Sequence, residues 1–420
     1  MLAGLGLAVL VLALFALRQN LLVVLGVATA YVYIGFGDGQ VANIVVDAWD
    51  AANKDILLSI PLYILAGNIM SRGVMATHLI RMMRAVSAPV PGGLAIAAVL
   101  SCALFAAVSG SGTVTLLAVG TVMYPALVDA GYSKLFAIGA LCATGTLGII
   151  VPPSIPLILY GVMTQTSIAD LFIAGVGPAA VLTSLMAGYA LFSNRQMAAG
   201  RWNFQEIRVS VRTGIWALMM PVLILGGIYS GYFTATESAA VAVVYAILVE
   251  VLVYREMGFR DLYEVIGQTT ELLGSLFPVL MLALSLNVFL AYQQVPELLV
   301  GALGQHIDST AGFLIGMNLF LLAVGCIMDI GSAILILTPI LAPLAISQGI
   351  DPVHFGIITV VNLEIGYLTP PLGLNLIVAM TVFRAEFWMI CRAVLPFLGL
   401  MLVGLLIVSF WPGLSLFLVA

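Results

Sequence analysis

The stretch that decides the fold spans residues 109–157 and reads SGSGTVTLLAVGTVMYPALVDAGYSKLFAIGALCATGTLGIIVPPSIPL. A second stretch, residues 327–374, reads IMDIGSAILILTPILAPLAISQGIDPVHFGIITVVNLEIGYLTPPLGL. The two align without a gap at one constant offset in residue number (370 − 152 = 218). The coinciding landmarks are Pro125 with Pro343, Gly131 with Gly349, Gly148 with Gly366, and Pro152 and Pro153 with Pro370 and Pro371. Glycine and proline dictate backbone shape, so their constant offset predicts a duplicated half.

The composition of the 420 residues places the chain in a lipid bilayer. Hydrophobic residues make up 63% and charged residues 8%, and the mean hydropathy is +1.19. Soluble domains carry about 25% charged residues, so this chain cannot build a water-facing surface. It also lacks a basic patch for nucleic acid. We therefore expect an all-α integral membrane protein whose surface contacts membrane lipid.

Apolar segments divide the chain into two repeats and a connector. The first repeat is predicted at residues 1–193, a cytoplasmic connector at 194–213, and the second repeat at 214–420. The first repeat has five full crossings, and this odd number predicts that the second repeat is inverted relative to the first. The connector is rich in arginine, so the positive-inside rule places it in the cytoplasm and the N-terminus in the periplasm.

Two segments of each repeat are too short or too interrupted for an ordinary span of about 20 apolar residues. Residues 92–128 are divided by SGSG and are predicted as a first re-entrant helical hairpin. Residues 133–165 are predicted as a helix broken at GIIVPPS, because proline cannot continue a regular helix. The counterparts are a second hairpin at 311–346 and a second broken helix at 351–383.

The remaining segments are predicted as ordinary spans or as helices that lie along the membrane interface. The spans are 2–17, 21–36, 56–70, 170–193, 214–230, 237–254, 272–290 and 387–410. The interfacial segments are 37–55, 76–86, 259–270 and 296–308. They are predicted to surround the hairpins and broken helices.

Irregular backbone at the tips and breaks predicts a site for a cation and an anion. Exposed helix N-termini attract anions, and unwound carbonyls can replace the water shell of Na⁺. Ser109 and Ser111 supply hydroxyls at the first tip, and Pro152 and Pro370 leave preceding carbonyls without a helical partner. A Ser/Gly tip is also compatible with close helix packing, and a Pro-Pro pair with a simple kink. The repetition of both features favours the site.

Two acidic residues lie in apolar segments, where each costs roughly 2.5 to 3.5 kcal/mol unless it is paired or faces a cavity. Asp329 aligns with Ser111 at the second tip, and Glu364 precedes the second break. Asp329 is therefore a candidate cation ligand, and Glu364 a candidate for coupling. A structural hydrogen bond to a neighbouring helix end is the alternative for both.

Neither an enzyme nor a resident cofactor is predicted. The sequence contains no HExxH or GxSxG motif, and its three histidines are far apart. Its cysteines lack CxxC spacing and are interpreted as buried small hydrophobic residues; they are Cys102, Cys142, Cys326 and Cys391. A membrane-embedded enzyme is thus disfavoured, and a channel would not need mirrored helix breaks.

Three motifs, AVSGSGTVT, GTLGIIVPPSIPLILYG and NLEIGYLTPPLGLN, together resemble the large membrane subunit of the tripartite ATP-independent periplasmic (TRAP) transporters, the DctM-like family. The likeness extends over essentially the whole chain. It implies an elevator transporter of the bacterial inner membrane, with Na⁺ as the coupling ion. It also implies two partners: a small four-helix membrane subunit, expected as a separate chain, and a periplasmic binding protein that delivers an organic acid.

The resemblance also implies roles for individual residues. The first Na⁺ site is implied at Ser109, Ser111, Gly148, Val151 and Pro152. The second Na⁺ site is implied at Gly325, Asp329, Gly366 and Thr369. The carboxylate substrate is placed between these sites, near Ser111, Thr113 and Ser154.

One alternative function stays open within the same superfamily. A stand-alone carboxylate transporter would need no binding protein and would be driven by Na⁺ or by protons. Protons would move through Asp329 and Glu364. Dependence of uptake on an added binding protein separates the two hypotheses.

Overall fold

The computed structural model describes residues 6–419 apart from 8, 12, 15–16, 18, 38, 305–308 and 372. The side chains of 51, 299 and 302–304 are also outside the description. Every regular element in this part of the chain is a helix. Half of the span predicted at 2–17 lies outside the described residues, as does the end of the interfacial segment predicted at 296–308.

The helices of the first half are α1 (Leu21–Phe36), α2 (Ala42–Ala52), α3 (Ser59–Arg72), α4 (Met75–Ser87), α5 (Gly93–Ser109), α6 (Gly112–Asp129), α7 (Lys134–Thr146), α8 (Ile155–Thr164) and α9 (Ile168–Ser193). Those of the second half are α10 (Phe204–Tyr229), α11 (Ala235–Leu248), α12 (Phe259–Tyr292), α13 (Val295–Gly304), α14 (Thr310–Gly325), α15 (Ile330–Ser347), α16 (Pro352–Gly366), α17 (Leu374–Phe383), α18 (Phe387–Phe410) and α19 (Gly413–Leu416). Short 3-10 turns precede α3 and follow α7, and a π-helical turn extends α11 to Tyr254.

Seven of the described helices are long and apolar enough to cross a membrane. They are α6, α9, α10, α11 with its π-helical extension, α12, α15 and α18. Helices α1, α5, α7, α8, α14, α16 and α17 are apolar but shorter, whereas α6 and α15, the second arms of the predicted hairpins, are long enough to cross. The predicted class, an all-α integral membrane protein, is therefore confirmed.

The two halves have equivalent helix boundaries. Helices α6 and α15 begin at the offset found in the sequence (330 − 112 = 218), and they also end at it (347 − 129 = 218). Their N-caps are Ser111 and Asp329, which are separated by the same offset. Ser133 and Asp351, another pair at this offset, cap α7 and α16 by accepting backbone N–H groups of the first turn. Equivalent sequence positions thus start equivalent helices.

Contacts between the halves are reciprocal. Helix α6 packs against α17, and its counterpart α15 packs against α8, the counterpart of α17. In the same way α7 contacts α18 while α16 contacts α9. Reciprocal contacts of this kind arise when two similar bodies are related by an approximate two-fold axis. They bring the tips and breaks of both halves into one region.

Two boundaries differ from the sequence prediction. The interfacial segment at 259–270 and the span at 272–290 are one continuous helix, α12, of 34 residues, so the predicted division is wrong. Neither Gly nor Pro stands between Thr270 and Leu272 to stop the helix. The predicted connector is also partly helical, because Asn203 caps α10 and the helix begins at Phe204.

Candidate functional site

Both broken helices stop beside their Pro-Pro pairs. After α7 and a 3-10 turn, the chain stays non-helical until Ser154, whose hydroxyl accepts a hydrogen bond from the Leu157 N–H at 3.3 Å and caps α8. In the second half α16 ends at Gly366 and α17 begins at Leu374. The Pro-Pro peptide bond is cis in both breaks. Both breaks lie where the sequence predicts them.

The first tip gathers three oxygen atoms. The hydroxyls of Ser109 and Thr115 are 2.7 Å apart, and they lie 3.2 and 2.9 Å from the Ser111 carbonyl oxygen, to which each donates. Ser109 and Thr115 are buried. We call these two hydroxyls and the carbonyl the first-tip cluster. Hydroxyl and carbonyl oxygens are ligands suited to a hard cation.

The first tip touches the first break through glycine. A Cβ on Gly148 would lie 2.6 Å from the Ser111 carbonyl oxygen, and a Cβ on Gly110 would lie 2.8 Å from the Pro153 carbonyl oxygen. Gly110 also has a φ of 59°, which favours glycine. The structure therefore places Ser109, Ser111 and Gly148 together.

The other two residues of the first implied Na⁺ site lie within the break itself. The Val151 N–H donates to the Leu147 carbonyl at 3.0 Å. The Pro152 ring faces Gly175 of α9, where a Cβ would lie 3.7 Å from the proline Cδ. The first contact lies within the break, and the second places the break against α9.

The second tip meets the second break in a backbone contact. A Cβ on Gly366 would lie 2.5 Å from the Gly325 Cα, so two residues of the second implied Na⁺ site are adjacent. The Thr369 hydroxyl donates to the Ile365 carbonyl at 2.9 Å.

The fourth residue of that implied site, Asp329, is exposed and caps its own helix. Its carboxylate accepts from the Ser332 N–H at 2.9 Å and also from the Ser332 hydroxyl. These hydrogen bonds are to its own helix rather than to a neighbouring one, and they leave its charge at the N-terminus of α15.

A cavity of about 160 Å³ lies between the two tips and the two breaks. Ser111 and Thr113, two of the implied substrate residues, line it, and their hydroxyl oxygens are 3.2 Å apart. The third, Ser154, is fully buried behind the wall, where its hydroxyl bonds to the Ile149 carbonyl. Leu276 of α12 completes the wall opposite the tips.

Four helices begin at the wall of this cavity. The first residues of α6, α8, α15 and α17 all line it, namely Gly112, Ile155, Ile330 and Leu374. Each helix N-terminus carries about half a positive charge on its unpaired N–H groups. The described residues of the wall include no Asp, Glu, Lys or Arg side chain, although the Asp329 carboxylate caps α15 just outside the wall. The cavity therefore suits a small anion.

Two buried polar side chains near the second break have no described partner. Glu364 and Asn375 are 0% exposed, and neither the carboxylate oxygens of Glu364 nor the amide atoms of Asn375 have a hydrogen-bond partner among the described residues. The Thr146 side chain faces Glu364. The Thr146 hydroxyl itself donates to the Ala143 carbonyl at 2.7 Å. Because buried polar groups are normally paired, these two mark the break as a functional candidate.

The residue-by-residue prediction did not include Thr115, Tyr367 or Asn375. Thr115 follows Ser111 by four residues, and this helical spacing could have placed it on the tip side of α6. Tyr367 lines the cavity, and its hydroxyl accepts from the Ile330 N–H at 3.1 Å, tying the second break to the second tip. That contact depends on tertiary packing and has no local sequence signal.

The fold is similar to that of a solved membrane protein. The crystal structure of the Alcanivorax borkumensis YdaH transporter aligns with 90% of this chain and 89% of its own chain, with a TM-score of 0.67. The two sequences are 13% identical, so this likeness concerns the fold alone. The class is an all-helical, multi-span membrane protein.

The family follows from the sequence. The profile of the tripartite ATP-independent periplasmic transporter, DctM component, matches residues 8–414. The C4-dicarboxylate TRAP transporter large permease protein DctM of Pseudomonas aeruginosa is 40% identical over 395 residues, which are 93% of this chain and 92% of that protein. The isethionate TRAP transporter permease protein DctMQ of Oleidesulfovibrio alaskensis is 36% identical over 399 residues, 94% of this chain and 62% of that protein. This chain belongs to the DctM family of TRAP transporters, as its motifs predict, and is a large permease subunit.

Proposed function

We propose that this chain forms the membrane passage of a Na⁺-coupled importer of an organic carboxylate in the bacterial inner membrane. The observation that carries the proposal is the convergence of four helix N-termini on one cavity without charged wall residues. A carboxylate there would accept hydrogen bonds from N–H groups of α6 and α17, whose N-termini have no side-chain cap, and be stabilised by the helix dipoles. The C4-dicarboxylate and isethionate named for the two relatives are small anions, which supports an anionic substrate.

Na⁺ would bind next to the substrate at the two tips. The first-tip cluster and the Gly148 backbone offer oxygens at one tip, and the backbone of Gly325 and Gly366 with the Thr369 hydroxyl offers them at the other. A cation and a carboxylate a few ångströms apart stabilise each other strongly where water is excluded. Each would therefore bind weakly without the other, and this mutual dependence couples substrate entry to the Na⁺ gradient.

Transport would proceed by an elevator movement. The tips, the breaks and the cavity belong to helices that pack on one another across the repeats, so they would move as one inverted-repeat body. We propose that helix α12 stays fixed in the membrane while this body slides along it. Its 34 residues span about 51 Å at 1.5 Å per residue, which exceeds the bilayer core of about 30 Å. It also contributes Leu276 to the cavity wall.

Two protein partners complete the system. The family description names a tripartite periplasmic transporter. We propose a small four-helix membrane subunit as a separate chain and a periplasmic binding protein that delivers the carboxylate. Because the connector is rich in arginine, we propose that it faces the cytoplasm and that the N-terminus faces the periplasm.

Uptake into proteoliposomes tests this function. The chain is reconstituted with its small subunit, and labelled C4-dicarboxylate is supplied with the cognate binding protein under an inward Na⁺ gradient. We expect accumulation with Na⁺ and none when K⁺ replaces Na⁺ or when the binding protein is omitted. Equal uptake by the single chain without either partner would contradict the tripartite proposal.

Glu364 is buried and has no hydrogen-bond partner among the described residues, which supports a second candidate, proton coupling in a stand-alone transporter. In that case an inward proton gradient would drive uptake when Na⁺ is absent. The same proteoliposomes with a pH gradient and K⁺ on both sides separate the two functions.

A further inference from the structure

A basic pocket separate from the substrate cavity lies where the connector meets α4. The pocket has a volume of about 560 Å³, and its charged wall residues are Arg81, Arg84, Arg201 and Glu206. We propose that this pocket binds the phosphate group of an anionic phospholipid.

The charge balance of the pocket favours an anion. The Arg81 guanidinium pairs with the Glu206 carboxylate through two contacts, Nε to Oε1 at 2.7 Å and Nη2 to Oε2 at 3.0 Å. Arg84 and Arg201 form no ion pair among the described residues. Three arginines against one glutamate leave two positive charges (3 − 1 = 2). A phosphodiester would neutralise one of them and accept hydrogen bonds from both free guanidinium groups.

The backbone around the free arginines is held in place. The Gly200 N–H donates to the Ala88 carbonyl at 2.9 Å, and the Trp202 indole N–H donates to the Val86 carbonyl at 3.1 Å. These two anchors fix the chain on either side of Arg201. Arg84 follows Arg81 by three residues, so both project from one face of α4. The guanidinium groups therefore converge on a fixed frame rather than on a loose loop.

The surroundings point to a lipid rather than to a soluble anion. Ile80, Ala85 and Val122 form an apolar part of the wall that an acyl chain can cover. Trp202 and Phe204 are exposed beside the pocket, and exposed aromatic side chains next to arginine are typical of the membrane interface. Basic pockets near the cytoplasmic surface of the membrane bind the headgroups of anionic lipids. Val122 belongs to α6, so a bound lipid would bridge α4 and the first hairpin.

Lipid-dependent thermal unfolding tests the proposal. The purified chain in neutral detergent micelles is titrated with phosphatidylglycerol, and with phosphatidylcholine of the same acyl chains. We expect phosphatidylglycerol alone to raise Tm in a saturable way, and native mass spectrometry to retain it as an adduct. In the variant with Arg84→Gln and Arg201→Gln, the phosphatidylglycerol concentration at half-saturation should rise about fivefold per arginine removed. The variant with Arg84→Lys and Arg201→Lys should keep part of the affinity. The Tm without lipid verifies that each variant is folded.

The matched control removes two arginines of the same region that do not line the pocket. Arg208→Gln with Arg212→Gln should leave half-saturation unchanged. An equal loss in this control would show unspecific attraction and overturn the site. Inorganic phosphate is titrated in parallel, and a Tm increase equal to that of phosphatidylglycerol would assign the pocket to a soluble anion and overturn the lipid proposal.

Discussion

Gly366 and Gly325 lie in direct backbone contact, so that a Cβ on Gly366 would be 2.5 Å from the Gly325 Cα. The contact joins the second break to the end of α14, the first helix of the segment predicted as the second hairpin. It also brings together two residues of the second candidate Na⁺ site. Only glycine allows the two backbones to meet there.

We expect Gly366→Ala to lower both Tm and the apparent Na⁺ affinity. The added methyl group meets backbone rather than a mobile side chain, so α14 and the break must separate at a cost of about 1–3 kcal/mol. Gly316→Ala in α14 is the matched control, because a Cβ there meets nothing within 4 Å. The control should leave the Na⁺ titration unchanged and slightly raise Tm. Equal behaviour of the two variants would contradict the role of the contact.

The positions of the tips and breaks could be predicted from sequence because they depend on glycine and proline. The constant offset between the halves is visible in these residues alone, and the structure starts α6 and α15 at that same offset. Local backbone chemistry decides such positions, so no tertiary information was needed.

What could not be predicted depends on packing between distant segments. The contact of Tyr367 with the Ile330 N–H and the presence of Leu276 in the cavity wall join segments that no sequence pattern relates. The continuity of α12 was missed for a different reason. Its polar first turns resemble an interfacial helix, although the residues around Glu271 continue the helix without a break.

Substitution at Glu364 distinguishes the two candidate coupling ions. Its carboxyl group is fully buried and unpartnered among the described residues, and a charge there would cost several kcal/mol, so the neutral acid is favoured. Glu364→Gln keeps the shape and neutrality of that acid. We therefore expect the rate of Na⁺-driven uptake to stay within about twofold of that of the unsubstituted protein, because replacements that conserve volume are well tolerated. Loss of uptake with normal Tm would instead favour proton coupling. Glu364→Leu, which removes the polar group altogether, shows whether hydrogen bonding is needed.

Removal of a hydroxyl from the first-tip cluster should weaken Na⁺ binding. Ser109→Ala deletes an oxygen that lies 2.7 Å from the Thr115 hydroxyl and 3.2 Å from the Ser111 carbonyl. One lost ligand of this kind costs about 1 kcal/mol or more, so the Na⁺ concentration at half-maximal uptake should rise at least about fivefold. Thr121→Val is the control, since its hydroxyl lies on the exposed side of α6. An unchanged Na⁺ titration for Ser109→Ala would remove this cluster from the cation site.

A negative charge placed in the cavity should compete with the substrate. Thr113 lines the cavity one residue after the start of α6, so the carboxylate of Thr113→Asp would lie at the positive ends of the converging helices. It would take the place proposed for the substrate carboxylate and repel the substrate itself. We expect the KM for a C4-dicarboxylate to rise at least about tenfold, the effect of about 1.4 kcal/mol. Thr113→Asn has nearly the same shape without the charge and should change KM much less. Equal KM values for the two variants would show that the positive helix ends at the cavity do not select the anion. The substrate would then have to bind elsewhere.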